Sequence, residues 1–216
     1  MGAVQMSDLD EALLTDAGLL SFARNVEPDL RQNIIDCLHH ARLVADDHHS
    51  SRMNWRAWLE AFQRSIAATG GLRSAGINDA RLKIHSFRDI GKLQLPVVDN
   101  AGELRQLYRS SFDKLLSSDH ATSFFSSWFT SGRSESFQLM PCAMRSKDEV
   151  SILLCSFQMT TLALRPARYF WQIVGGEMQV HAVATAFRFS RQSFEPFRQT
   201  VQDALADRAA AEIISL

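Results

Sequence analysis

Three side chains in this sequence are of the types needed for nucleophilic chemistry on an acyl group: Cys142, His85 and His181. Cys142 follows Pro141, and proline lacks the N–H that a β-ladder needs, so it is expected at a sheet edge or a bulge. A thiol beside such an interruption is expected to face a groove. His85 and His181 lie on predicted strands, and either would supply the base that raises the thiolate fraction.

The competing interpretation is that the cysteines are structural. Cysteine is among the most buried residue types and packs as a small hydrophobe. Cys155 lies at the centre of an apolar segment, and Cys37 lies beside the apolar stripe of a predicted helix, so both are predicted to be core residues. For Cys142 the structural and the functional interpretations both stay open.

A metal site is a second candidate, formed by Cys37, His40 and Asp47, which share one helical face. Zinc accepts ligands of these types. The sequence has no tight zinc signature here, and His48 and His49 fall where the helix is expected to end. A solvated helix end therefore explains the cluster, and no metal site is predicted.

A pocket for a long-chain ligand is a third candidate. Phe170 and Trp171 are adjacent on a predicted strand, so they point to opposite faces of the sheet and both faces need cover. Helices on each side, or a bound lipid, would provide it. A serine-rich stretch, residues 118–131, is predicted to be a short, partly buried helix. In a non-enzymatic protein its aromatic part, residues 124–129, would be the partner surface.

Composition excludes several classes of protein. The 216 residues carry 23 basic and 24 acidic side chains, so there is no basic field for nucleic acid. No apolar run approaches the roughly 18 residues of a membrane-spanning helix, and no signal peptide is present. Three cysteines cannot form a closed disulfide set, which favours a reducing, cytoplasmic compartment. Nucleotide-binding motifs are absent, and no cofactor is expected beyond a covalent acyl chain.

Hydrophobic spacing predicts helices in the N-terminal half of the chain. The first covers about residues 8–20, the second begins near Pro28, and the third covers about residues 53–69 and ends at Gly70 and Gly71. Another helix follows Asp99.

Strand-like alternation appears around residues 82–87 and then in residues 137–144, 150–164, 168–174 and 177–189. Short connections make neighbouring strands antiparallel. A final helix begins at Ser190 or Ser193. The predicted class is therefore α+β, with a helical N-terminal half, an antiparallel sheet of about five strands and a closing C-terminal helix. One domain is predicted, with residues 1–72 as a helical cap and residues 73–216 as the sheet body with flanking helices.

The C-terminal part has a distinctive layout of apolar positions: Phe137, Leu139, Cys142, Val150, Ile152, Phe170, Trp171, Phe194, Phe197, Val201 and Leu205. The third predicted helix adds Trp55, Trp58 and Phe62. Together these positions, which cover roughly two thirds of the chain, resemble the Erwinia virulence factor family and its bacterial and fungal relatives.

This resemblance implies an antiparallel sheet body, a role in bacterial interaction with an insect or other host, and a cysteine that carries a fatty-acyl thioester. Cys142 matches that cysteine, with Cys155 as the alternative. The hypothesis is a fatty-acyl-binding or acyl-thioester protein, either stably acylated or a cysteine-dependent thioesterase or acyltransferase. A non-enzymatic protein-interaction domain is the alternative. Such a protein would be cytoplasmic, released or peripheral to a membrane.

Overall fold

The computed structural model describes residues 9–15, 18–92, 101–118, 134–160, 177–206 and 214–215. Its strands are β1 (Leu9–Thr15), β2 (Gly18–Ala23), β3 (Leu72–Ile84), β4 (Ser134–Ser146), β5 (Glu149–Thr160), β6 (Met178–Ser190) and β7 (Ile214–Ser215). They form one seven-stranded sheet in the order β3-β6-β5-β4-β2-β1-β7.

Four helices of two turns or more lie within these residues: α1 (Pro28–His48), α2 (Trp55–Ala68), α3 (Ala101–Ser117) and α4 (Arg198–Ala206). A helical turn (Arg191–Phe194) and a 3-10 turn (Glu195–Phe197) lead from β6 into α4, and another 3-10 turn (Phe87–Lys92) follows β3. None of the described helices combines the length and the apolarity needed to cross a membrane.

The predicted first helix is wrong, because residues 9–15 and 18–23 form the antiparallel strand pair β1–β2. Leucines recur there at helical spacing, but all six residues of β2 are buried. An interior strand that is covered on both faces reads as a continuous apolar run, and such a run also fits a helix. The N-terminal half is therefore not helical throughout, and the sheet has seven strands where about five were predicted.

The sheet is mostly antiparallel, as predicted, with one parallel pair. β2 runs parallel to β4, and the partners extend from Gly18 opposite Gln138 to Phe22 opposite Cys142. Residues from the N-terminal hairpin therefore complete a sheet whose centre comes from the C-terminal half.

The helices predicted near Pro28, over residues 53–69 and after Asp99 are confirmed as α1, α2 and α3. The C-terminal helix is confirmed too, although it is preceded by two short turns and followed by β7. Ser190 caps this segment, since its hydroxyl accepts from the Ser193 N–H at 3.1 Å in a reciprocal capping box.

Helices cover both faces of the described sheet. On one face α2 reaches the strands through side chains: the Trp55 indole N–H donates to the Ser156 hydroxyl oxygen at 3.0 Å, and the Gln63 amide donates to the Thr185 hydroxyl at 3.1 Å. α1 packs beside α2, and α4 packs on α1. On the opposite face α3 packs on β4 and β2.

Candidate functional site

Cys142 lies in the interior of the sheet. It belongs to β4, and its partners are Phe22 on β2 and Ile152 on β5. The expectation that Pro141 marks an edge is therefore wrong. Pro141 does interrupt the ladder locally, because the pairing of β4 with β5 is broken between Leu139 and Cys142, where the proline has no N–H to donate.

The Cys142 thiol is sealed in the core. The residue is 0% exposed, and its Sγ donates to the main-chain oxygen of Met140 at 3.6 Å. Burial raises the pKa of the Cys142 thiol well above its usual range, because a thiolate loses its hydration there. The ionised, reactive form of this thiol is therefore not populated at neutral pH.

The structure does not bring either predicted histidine base near Cys142. The residue in line with Cys142 two strands across is Phe187 of β6, and His181 lies about 20 Å further along that strand at roughly 3.3 Å per residue. On β3, Ile84 pairs with Met178, which lies nine residues, or roughly 30 Å, from Phe187 along β6, and His85 follows Ile84 beyond the end of that strand. Neither ring is within hydrogen-bond reach of the thiol.

Phe170 and Trp171, the predicted lipid-contacting residues, lie outside the described residues, as does the aromatic stretch 124–129. The roles predicted for them stay predictions.

The histidine-rich end of α1 gathers no metal site within the described residues. The Cys37 Sγ lies 3.2 Å from the Thr69 hydroxyl oxygen in the core, and the His48 Nδ1 lies 2.8 Å from the Val44 carbonyl oxygen. No three His, Cys, Asp or Glu side chains in this part of the chain are grouped as a metal ion requires.

A shallow groove of about 410 Å³ runs beside these histidines, between the outer sides of α1 and α2. Burial lowers the pKa of His40 in its wall, yet the groove is open to solvent along its length. It presents a surface and does not enclose a ligand.

A more enclosed crevice lies between α1, α2 and the centre of the sheet, and its cavity volume is about 50 Å³. Its apolar lining side chains are Leu20, Ile35, Leu38, Trp58, Phe62 and Met140. The polar ones are Thr15, His39, Arg42 and Gln138. An apolar slot with few polar groups is the composition typical of a small-molecule site.

The α2 wall of the crevice is rigidly built. The rings of Trp58 and Phe62, one turn apart, are stacked with centroids 5.2 Å apart. The Trp58 indole N–H donates to Asp46 Oδ1 at 2.6 Å, and Arg42 Nε donates to Asp46 Oδ2 at 3.3 Å. Asp46 therefore ties α2 to α1 and holds the Arg42 guanidinium beside the crevice.

Gln138 provides the buried polar group of the crevice, and it is only 1% exposed. Its Nε2 donates to the Ser156 hydroxyl oxygen at 3.4 Å, the same oxygen that accepts from Trp55. Its Oε1 is buried and has no hydrogen-bond partner among the described residues. A buried acceptor without a hydrogen bond lowers the stability of a folded protein by about 1–3 kcal/mol.

The comparisons with known proteins give no family. No protein-family model matches the sequence, and neither a curated protein nor a solved structure is significantly similar to the chain. The resemblance to the Erwinia virulence factor family, and the host role and thioester that it implies, therefore stay predictions.

Helical spacing in the sequence places Leu38 and Phe62 on apolar helix faces, whereas Trp58 was named only through the resemblance. The strand side of the crevice was not found from the sequence. Leu20 and Thr15 were placed in or near a helix, and Gln138 was not singled out. The signal that would have found Gln138 is an amide at an inward strand position, between Phe137 and Leu139 of a core segment.

Proposed function

We propose that this chain is a ligand-binding protein that holds a small amphipathic molecule with a short acyl or alkyl chain in the crevice between α1, α2 and the sheet. The observation that carries this proposal is the pairing of an apolar lining with a buried, unpartnered acceptor on Gln138. Apolar walls with one or two placed polar groups fix the orientation of a bound molecule.

The size of the crevice limits the ligand. Its volume of about 50 Å³ exceeds the roughly 10–15 Å³ that one water molecule needs. It is well below the roughly 300–1,000 Å³ of pockets that bury a drug-sized molecule. A short chain, or the end of a longer one, fits this space, and a complete long acyl chain does not.

The geometry supports non-covalent binding better than a thioester. Cys142 is on the same β4 face as Met140, which lines the crevice, but Cys142 is not a lining residue, and neither His85 nor His181 adjoins its thiol. An intact-mass measurement before and after hydroxylamine separates the two forms of the hypothesis. We expect the unmodified mass in both samples, and a hydroxylamine-labile acyl mass would restore the thioester.

A homologous series of primary alcohols tests binding. Each methylene that enters an apolar site contributes about 0.8 kcal/mol, which is about fourfold in affinity. Titration calorimetry from ethanol to 1-octanol should show this increase per carbon, and the affinity should then level off where the crevice is full.

A matched pair of variants locates the site. Ile35 and Leu205 are both partly buried and pack against the core, but only Ile35 lines the crevice. Ile35→Phe should weaken 1-pentanol binding at least tenfold by filling the space, whereas Leu205→Phe should leave it unchanged. Equal affinities for the two variants, with both folded by circular dichroism, would refute the crevice as the binding site.

A further inference from the structure

We infer that Gln138 selects ligands whose polar group donates a hydrogen bond, so that the crevice prefers a short primary alcohol to an ether of the same composition. This inference rests on the proposed binding function and specifies the class of ligand. The inference concerns the polar group of the ligand, whereas the apolar lining of the crevice contacts the ligand's chain.

The direction of the Gln138 amide supports this selection. Its Nε2 is turned toward Ser156 on β5, and the oxygen and nitrogen of an amide diverge from the same carbon. The Oε1 atom therefore points in a different direction from Nε2, and it belongs to a side chain that lines the crevice. A buried carbonyl oxygen without a partner is satisfied by an incoming O–H or N–H.

Two of the other three polar lining residues, Thr15 and Arg42, already have partners of their own. The Thr15 hydroxyl donates to the Gly18 carbonyl oxygen at 3.1 Å. Arg42 also lines the crevice, and its guanidinium is paired with the Asp46 carboxylate at 3.3 Å. A ligand that only accepts hydrogen bonds would place its oxygen against Oε1 with no hydrogen between them, and the two lone pairs would repel each other.

The acceptor is also held in place before a ligand arrives. β2 runs very close to Gln138, since a Cβ added at Gly18 would lie 2.3 Å from the Gln138 main-chain oxygen. The side chain is tethered by Ser156, which is itself tethered by Trp55. An acceptor that loses little freedom on binding contributes more of its hydrogen bond to affinity.

The first experiment uses the wild-type protein and two isomers, 1-pentanol and methyl butyl ether. They have the same atoms, but only the alcohol donates a hydrogen bond. We expect calorimetry to give at least fivefold tighter binding for 1-pentanol, with a change in the Gln138 ¹³Cδ chemical shift that the ether does not produce. Equal affinities would overturn the inference, and a water molecule already bound to Oε1 would give this result. A preference for the ether would overturn it as well.

The second experiment compares two glutamine variants. Gln138→Met removes Oε1 with little change in length, and Gln63→Met is the control, because Gln63 bonds Thr185 on the same sheet face without lining the crevice. Gln138→Met should lose the preference for 1-pentanol over the ether, and Gln63→Met should keep it. A preference that survives Gln138→Met would also overturn the inference.

The two proposals fail in different ways. If neither isomer binds, or if Ile35→Phe binds both as the wild type does, the crevice is not the site and the proposed function fails. If both isomers bind in the crevice with equal affinity, the proposed function stands and only the role of Gln138 is lost.

Discussion

At the scale of single residues, the three cysteines share one environment. Cys37, Cys142 and Cys155 are each 0% exposed, and burial raises the pKa of all three thiols. For Cys37 the pKa rises from its usual 9.0 to about 11, mainly through loss of hydration, while the hydrogen bond with Thr69 acts in the opposite direction. Their common environment favours the structural interpretation of these residues.

The raised pKa of Cys37 predicts a loss of stability in alkali. Between pH 9.0 and about 11 the thiol is ionised in the unfolded chain but protonated in the folded one. The folded state then binds more protons, so the free energy of unfolding falls as the pH rises, by up to about 1.4 kcal/mol per pH unit for this group. Urea denaturation across this pH range gives the free energy of unfolding at each pH. Its decrease per pH unit should be smaller for Cys37→Ala than for the wild type by that amount.

The control for this prediction is Ile34→Val, a change one turn away at another fully buried position. It should lower the free energy of unfolding by roughly 0.5–1.5 kcal/mol at every pH and leave the slope as in the wild type. A Cys37→Ala protein with an unaltered slope would show that this thiol ionises equally in the folded and unfolded states.

At the scale of elements, the end of α2 depends on Gly70. Its φ is 100°, in the left-handed region that favours glycine. The chain reverses there, with the Gly71 N–H donating to the Ile66 carbonyl oxygen at 2.9 Å. A Cβ at Gly70 would meet the Ser193 main-chain oxygen at 2.3 Å, so the turn after α2 lies directly against the turn that leads to α4.

Gly70→Ala should therefore lower the free energy of unfolding by about 2–5 kcal/mol. Left-handed backbone costs a non-glycine residue roughly 1–2 kcal/mol, and overpacking typically adds about 1–3 kcal/mol. Gly102→Ala in the first turn of α3 is the matched control, because a Cβ there has no atom within 4 Å. It should stabilise the protein by up to about 1 kcal/mol, and equal effects of the two changes in urea denaturation would contradict this account.

At the scale of the whole molecule, the sequence predicted the elements whose pattern is local. The helices α1 and α2 have one apolar face and a proline or asparagine at the start, so their spacing identifies them. The hairpin β1–β2 was predicted as a helix because Ala12, Leu13 and Leu14 are all buried, which removes the alternation of a half-buried strand. Its place in the sheet depends on β4, which is distant in sequence.

Only part of the candidate site was predicted, because the sequence indicates local patterns and not the pairing of distant strands. Phe62 lies at helical spacing from Leu59 and Ile66 on α2, so its inward direction followed from spacing alone. Leu20 and Gln138 meet only through the parallel pairing of β2 with β4, and nothing in the local sequence indicates that pairing. Pro141 was expected at an edge, but the sheet places it in an interior strand whose ladder is interrupted at that point.

The parallel pair β2–β4 also has a consequence for biosynthesis. Gly18 pairs with Gln138, so 120 residues separate the partners. At roughly 5–20 residues per second a ribosome takes on the order of 6–24 s to add them. Throughout that interval both lateral edges of the nascent β1–β2 pair are unsatisfied, because β7, the other partner of β1, is synthesised later still. A trigger-factor-type chaperone, or the early arrival of α1, would have to shield its leucines until the second half of the polypeptide emerges.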